Sequence, residues 1–495
     1  MLVRVENSWT VVTTATEAEQ DWLDAFLSFK DTKAEIRARA GYARGDGRVK
    51  MTRKRRGGGP AFPTGLLPIV QIGASGQGIR VDVVDSRGAM DFDADRLAEL
   101  SLPPWNMDGN RDYQGDAIQA FLDGGASSNL VQAPLPGRGI IWAPTASGKG
   151  RIAAAVPYVI PGQWVFAVHR GHLAQDVRER WNSLAVPQGE PPAGWIGEGE
   201  WKVGPRLTCA TLQSLYAHKG SPKWRALVKG TVGLVIDEAH TAPAQTFLRT
   251  IQGFTNARWR LGLSGTPLDR SDKRSMVALG ALGPIVYRIR AKPLQERGVL
   301  AVPTVRVVPV YQRPAAPQHY GDWPTLYQTL VVESAHRNGA VMAAVRYAMD
   351  KGETPGMVFV RSLDHGRRVT RMIERAGYAV RFVSGSTNTS SRKNACDDLR
   401  RGRLDFIVAT KVFTEGVDVP ELRTVINAQG GKSVIDTLQQ TGRGMRVTTD
   451  KKRVTVWEFG DKGTDMLNGH AKARIAAYQR EGYSCVVDRG LWPEK

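Results

Sequence analysis

Two short segments carry residue types suited to phosphate chemistry. The first, Ala143-Pro144-Thr145-Ala146-Ser147-Gly148-Lys149-Gly150, follows the apolar run Ile140-Ile141-Trp142. A strand–loop–helix of this kind aims backbone N–H groups and a helix N-terminus at a phosphate. Gly148 permits close backbone approach, and Lys149 supplies a charge for β- and γ-phosphates. The usual spacing is G-x-x-x-x-G-K-[ST]. Here Ala143 replaces the first glycine, Ala146 an inner one, and Gly150 the hydroxyl residue. The second segment, Asp237-Glu238-Ala239-His240, ends the run Val232-Gly233-Leu234-Val235-Ile236. A buried parallel strand delivers such acids to the carboxyl edge of its sheet, where ligands bind in open α/β folds. Asp237 can enter a Mg²⁺ shell, and Glu238 can polarise an attacking water. Phosphoryl transfer to water needs mainly positioning and charge stabilisation, so the pair implies nucleotide hydrolysis.

The elements that must position these groups follow from periodicity. Between about 105 and 290, apolar runs alternate with helical stretches, with candidate strands at Gly139–Trp142, Gln163–Val168, Arg206–Ala210, Val232–Ile236 and Arg260–Leu263. This alternation predicts a parallel sheet covered by helices. The pattern repeats at Gly356–Val360, Ala379–Val383, Asp405–Val408, Thr424–Ile426 and Val454–Phe459. Pro303 to Arg313 reads as a linker with β character. Ala471 to Arg480 reads as a helix in a C-terminal tail. Upstream, Val3 to Val12 alternates weakly as a strand, and Trp22, Leu23, Phe26 and Leu27 give helical spacing within Glu17–Phe29. The expected fold class is α/β: two tandem parallel-sheet lobes and a small α+β N-terminal domain. The expected domains are 1–104, 105–295, a linker 296–329, 330–462 and a tail 463–495.

Composition narrows the class. The chain has 495 residues, 42% of them hydrophobic and 23% charged, as in an ordinary globular protein. No apolar run is long enough to cross a bilayer, and the N-terminus lacks a signal-peptide pattern. Cys209, Cys396 and Cys485 are far apart and without metal-ligand spacing. That fits a reducing cytoplasm, the host's if the chain is phage-encoded. The net charge of +20 points to a polyanionic partner, with nucleic acid the leading candidate. Nine Lys/Arg and one Asp lie between Arg37 and Arg56, before the breaker Gly57-Gly58-Gly59-Pro60. This segment, with Arg53, Lys54, Arg55 and Arg56, is either a solvated tail or a grip on a DNA backbone.

In their order, these motifs resemble superfamily 2 helicases of the DEAH-box type, over roughly residues 105 to 460. Arg111-Asp112-Tyr113-Gln114 is similar to the adenine-reading motif. Val168-His169-Arg170-Gly171-His172-Leu173 and Ala210-Thr211-Leu212-Gln213-Ser214 are similar to DNA-contacting motifs. Leu263-Ser264-Gly265-Thr266-Pro267 is similar to the motif that couples hydrolysis to movement. The second lobe offers Ala409-Thr410-Lys411-Val412-Phe413-Thr414-Glu415-Gly416-Val417-Asp418 and Gln439-Gln440-Thr441-Gly442-Arg443-Gly444-Met445-Arg446. Phe62-Pro63-Thr64-Gly65-Leu66-Leu67-Pro68 resembles a segment of the N-terminal domains of phage UvsW-type helicases, relatives of RecG-like and TFIIH-repair-type translocases.

The resemblance implies two RecA-like lobes, ATP and Mg²⁺ as cofactors, and single-stranded or branched DNA as partner. It implies Lys149, Asp237, Glu238, His240, Gln439, Arg443 and Arg446 as catalytic residues, with Asp237 on the metal and Glu238 near it. Nucleotide binding falls to Arg111, Gln114, Pro144, Thr145, Ala146, Ser147, Gly148, Lys149, Gly150, Gly416 and Asp418. Nucleic-acid contacts fall to Arg170, Thr211, Gln213, Arg361, Ser384 and Thr410, and coupling to Ser264 and Thr266. Guanidinium groups match phosphate oxygens in pairs, which suits arginines supplied from outside the phosphate loop. Thr211 and its like could equally be caps or turn residues. Gln440 replaces a frequent arginine. The family further implies 3′→5′ stepping, a monomer, no membrane partner, and possible single-strand-binding or recombination proteins as companions. The expected activity is ATP-dependent remodelling of forks, D-loops or four-way junctions. An RNA helicase, or an ATP-binding clamp that hydrolyses poorly for want of the hydroxyl at Gly150, are the alternatives. The short stretch after Arg446 favours DNA over RNA, since DEAH RNA helicases usually carry further domains there.

Overall fold

The structure, a computed structural model, describes residues 1–30, 48–55, 58–88, 90–128, 130–241, 245–265, 275–312, 322–410 and 419–491. The chain divides into two compact units. One is Met1–Ala143 with Gly148–Ile289; the other is Arg290–Lys495 with the loop residues Pro144–Ser147.

The first unit is built on an eight-stranded sheet. Its strand order is Glu200–Lys202, Gly194–Gly197, Leu207–Thr211, Gln163–Val168, Thr231–Ile236, Trp259–Ser264, Arg138–Trp142, Ile285–Arg288. All neighbours run parallel except the first pair. Strands buried on both faces need continuous apolar runs, and Ile140, Val165, Ala167, Leu234 and Ile236 supply them in the core. Each such valine, leucine or isoleucine side chain contributes about 1.5–3 kcal/mol on burial. Parallel direction puts Trp142, Val168, Thr211, Ile236 and Ser264 at one common edge.

The same unit holds a five-stranded sheet in the order Arg53–Arg55, Gly58–Pro63, Trp9–Thr14, Leu2–Val5, Asp82–Asp85. The stretch expected as one strand from Val3 to Val12 is therefore a hairpin, Leu2–Val5 antiparallel to Trp9–Thr14, turning through Glu6-Asn7-Ser8. The helix Glu17–Phe26 starts at a capping box in which Thr16 and Glu19 satisfy each other's backbone N–H. Two buried arginines fasten this sheet to the larger one. Arg138 donates to the carbonyls of Asn7 and Ala281, and Arg260 donates to Ser8 Oγ at 2.6 Å and to the Phe254 carbonyl at 2.8 Å. Apart from Ser8 Oγ, their acceptors are helix-end and loop carbonyls, which must be paired when buried.

The second unit is an all-parallel seven-stranded sheet: Val380–Val383, Phe406–Ala409, Gly356–Phe359, Thr424–Asn427, Arg453–Asp461, Val302–Val310, Ser484–Val487. Its core holds Val308, Val358, Phe406, Ile426 and Trp457. The span expected as a linker thus contains a nine-residue strand inside this sheet. Val305, Val307, Val308 and Val310 are all buried. The tail also departs from expectation. Its helix runs Asp465–Arg480, capped by Thr464, and a strand follows at Ser484–Val487. The α/β class with two parallel-sheet lobes is as expected from the alternation of runs, and their RecA-like character is as the resemblance implies.

Candidate nucleotide and nucleic-acid site

The phosphate loop leaves the strand Arg138–Trp142 and enters the helix Lys149–Val159. Two of its residues are left-handed, Gly148 at φ +92° and Ala146 at φ +67°. Gly148 takes this conformation freely, whereas a left-handed alanine costs about 1–2 kcal/mol. A Cβ on Gly148 would stand 2.2 Å from Gln114 Nε2, so the buried glutamine of the helix Asp112–Leu122 lies directly against the loop. The Lys149 ammonium donates to the Ala143 carbonyl at 3.1 Å, closing the loop on itself. Ser147 Oγ donates to the Pro144 carbonyl at 2.7 Å. Arg111 stands exposed at the start of the Gln114 helix.

The acid pair follows the strand Thr231–Ile236 at the same edge. Glu238 is left-handed at φ +51°, a strained state for a residue with a side chain. Its N–H donates to Asp237 Oδ1 at 2.8 Å. His240 Nδ1 lies 3.3 Å from Glu238 Oε2 and 3.5 Å from Ser264 Oγ. The Ser264 carbonyl accepts from the Ala143 N–H at 2.9 Å. Ala143, Ser264 and His240 are thereby linked by hydrogen bonds through neighbouring strands, and the Glu238 carboxylate lies beside His240. Burial and the adjacent Glu238 carboxylate push the Asp237 carboxyl up to about 6, against the pull of the Lys149 ammonium. Among the described residues there is no cluster of three His, Cys, Asp or Glu that could hold a metal.

Gly150 has a physical context that the sequence does not reveal. A Cβ there would stand 3.2 Å from Arg180 Nε, on the neighbouring helix Gly171–Leu184. The space a serine or threonine side chain would enter is bordered by a cation. Nothing in the segment around Arg180 marks it for this place.

Arg170 and Thr211 stand at the same sheet edge, as N-caps of the helices Gly171–Leu184 and Leu212–Ala217. The Thr211 hydroxyl accepts from the Ser214 N–H at 3.2 Å and donates to Ser214 Oγ at 2.8 Å, so it does act as a cap. Gln213 is exposed beside it. In the second unit Arg361, Ser384 and Thr410 follow the carboxyl ends of the strands Gly356–Phe359, Val380–Val383 and Phe406–Ala409. Arg361 is exposed; Ser384 and Thr410 are buried. Gln439 and Arg443 lie on the helix Val434–Arg443, and Arg446 follows it, exposed, with its backbone bridged to Leu300. Both amide atoms of Gln440 are buried with no partner among the described residues. In the N-terminal sheet, Arg53 lies 3.4 Å over the Trp9 ring and Lys54 is exposed. Arg56, Thr266, Gly416 and Asp418 lie outside the described residues, as do residues 37–47 of the basic segment.

Two RecA-like lobes carrying these motifs in this order define a superfamily 2 helicase. Residues 109–269 match the family described as "Type III restriction enzyme, res subunit", and residues 340–448 match "Helicase conserved C-terminal domain". The chain is 26% identical to putative helicase 22 of Sulfolobus islandicus filamentous virus over 72% of this chain and 65% of that protein. It is 28% identical to putative DNA 3′-5′ helicase Rad25 of Halobacterium salinarum over 75% of this chain and 57% of that protein. It is 26% identical to the ATP-dependent DNA helicase uvsW of Enterobacteria phage T4 over 48% of this chain and 49% of that protein. The chain spans between about half and two thirds of the length of these curated relatives. It carries both helicase-family domains in order and is similar to superfamily 2 helicases of the UvsW type. No described helix is long and apolar enough to cross a membrane.

Proposed function

We propose that the chain hydrolyses ATP to move along DNA, and that it remodels forks, D-loops or four-way junctions. One observation carries this reading: hydrogen bonds join Ala143, Ser264 and His240, with the Glu238 carboxylate 3.3 Å from His240, at the sheet edge that also bears Lys149, Asp237, Arg170 and Thr211. The left-handed Gly148, the Lys149 ammonium and the partly buried Asp237 fit a magnesium-nucleotide triphosphate. Asp237 would hold Mg²⁺, which when bound offsets phosphate charge. The N–H groups of Pro144–Gly150 that precede and open the helix would cradle the phosphates, apart from proline, which has none. Lys149 would exchange its Ala143 carbonyl for a phosphate oxygen. Glu238 would orient and polarise water, held by His240, while Ser264 and Thr266 relay the state of the site. Arg111 and Gln114 would meet the base. From the second lobe, Gly416, Asp418, Gln439, Arg443 and Arg446 are the proposed nucleotide-facing groups.

Arg170, Gln213, Thr211, Arg361, Ser384 and Thr410 would touch phosphates or sugars, contacts that position a strand without reading its sequence. Arg53, Lys54, Arg55 and Arg56 would add duplex backbone contacts. The names of the uvsW and Rad25 relatives support DNA over RNA. The test compares turnover and strand exchange on forked DNA, four-way junctions, linear duplex and RNA duplex. The proposal expects branched DNA to be preferred. Equal activity on linear duplex, or a preference for RNA, would overturn it.

A further inference from the structure

In the second unit, Ala428 to Ser433 connect the strand Thr424–Asn427 to the helix Val434–Arg443, which carries Gln439 and leads on to Arg446. The connection contains Gly430-Gly431, with Gly430 at φ +71°. Such a glycine pair has more backbone freedom to lose on ordering than any other sequence.

Two buried arginines hold its carbonyls. Arg337 Nη1 donates to the Ala428 carbonyl at 2.8 Å, and Arg474 Nη1 donates to the Gly431 carbonyl at 2.5 Å. Each guanidinium is fixed in turn. Arg337 Nε lies 2.8 Å from Asp461 Oδ1, and Arg474 Nε lies 3.0 Å from Glu458 Oε1. Glu458 also accepts from Asn427 Nδ2 and from the Phe459 N–H, both at 2.9 Å. Arg337, Arg474, Glu458 and Asp461 are all at most 1% exposed. The Tyr478 hydroxyl, one turn beyond Arg474, is within reach of Glu458 and of Thr441 on the arginine-bearing helix. Net stability is a poor explanation for two buried ion pairs, because apolar side chains of similar volume commonly do as well or better. What apolar side chains cannot do is grip two carbonyls with a rigid planar fork.

We propose that Arg474 of the C-terminal helix, with Arg337, is a positioning residue: it fixes the Gly430-Gly431 connection and so the aim of the helix that presents Arg443 and Arg446 to ATP. This rests on the proposed motor function. Arg474 touches no nucleotide itself. Its effect is expected on the chemical step, because it acts on the arginine-bearing helix and not on Gly148 and Lys149, which belong to the other unit.

The test uses the full chain with three substitutions: Arg474→Met, Arg474→Lys, and Arg474→Met combined with Glu458→Gln. Arg474→Met leaves Glu458 buried without its cation and lowers the melting temperature. The double variant removes both charges and recovers most of that loss. Its kcat for DNA-stimulated ATP hydrolysis stays about ten-fold down, while KM for ATP moves less than about two-fold. Amide exchange across Ala428–Arg446 quickens by about ten-fold or more, and Arg474→Lys lies between the two. A double variant with parental kcat and parental exchange would overturn the proposal. If the double variant melts early, Arg474→Lys decides, since it keeps the charge and loses the fork; parental kcat and exchange there overturn it equally. If the parent shows no DNA-stimulated turnover, the motor reading falls, and exchange in this segment alone decides whether Arg474 tethers it.

Discussion

Replacing Gly148 by alanine tests the phosphate loop at its most constrained point. Gly148 has φ +92°, where alanine costs about 1–2 kcal/mol. The new methyl would stand 2.2 Å from Gln114 Nε2, and Gln114 is fully buried. The amide must move, and a buried donor deprived of its place costs about 1–3 kcal/mol. The sum is about 2–5 kcal/mol against the native loop. Two residues along, Gly150→Ala is the control. It lies inside the helix without a positive φ, and its methyl meets the flexible Arg180 side chain at 3.2 Å and Val177 at an ordinary 3.8 Å. Alanine there gains up to about 1 kcal/mol of helix propensity. Melting curves and titration with a fluorescent ATP analogue read both. Gly148→Ala should melt several degrees lower and bind the analogue at least about 30-fold more weakly, the equivalent of about 2 kcal/mol. Gly150→Ala should melt no lower than the parent. Parental binding by Gly148→Ala, or greater damage from Gly150→Ala, would refute the reasoning.

Further expectations follow from other residues. Gly150→Ser restores a hydroxyl beside the proposed Mg²⁺ ligand, so half-maximal turnover should need several-fold less Mg²⁺; an unchanged requirement would mean that Arg180 keeps the hydroxyl away. Arg53→Gln with Lys54→Gln should lower the slope of log affinity against log salt on duplex DNA by about 2, since each phosphate left without its cation removes about 0.9. An unchanged slope would mean a solvated strand. His365 is buried, its Nε2 2.9 Å from Asn338 Oδ1, and burial depresses its pKa to about 3 from 6.5. Below pH 6.5 the unfolded chain takes up a proton that the folded imidazole refuses, so stability is full above 6.5 and falls toward 3. By about pH 5 the loss is about 2 kcal/mol. His365→Gln should narrow the difference in melting temperature between about pH 7.5 and about pH 5; an undiminished difference would contradict the assignment.

Strands that are buried on both faces and followed by helices were legible, because their apolar runs are continuous. Gln163–Val168 has the bounds its sequence suggests, and its neighbours differ by a residue or two. Val302–Val310 was legible only as a linker with β character, because Pro303 and Pro309 cannot donate to a ladder, yet both lie within a parallel one. Ser484–Val487 is too short to announce itself, and it exists because Val302–Val310 offers it an edge. At the site, the residue types were legible and their backbone states were not. Nothing local shows that Ala146 and Glu238 are left-handed, or that Thr211 spends its hydroxyl on a cap. Arg180, Arg337 and Arg474 sit in helices where an arginine ordinarily faces water. Their places against Gly150, Ala428 and Gly431 depend on how distant segments pack.

The central claim is that the bonded edge of Lys149, Asp237, Glu238 and His240 hydrolyses ATP for movement on DNA. Mg²⁺-dependent ATP turnover with and without single-stranded DNA, in the parent, Lys149→Ala and Glu238→Gln, tests it most directly. DNA should stimulate the parent, and both variants should lose at least about 100-fold in kcat. A parent that DNA does not stimulate, or variants that turn over ATP as the parent does, would contradict it.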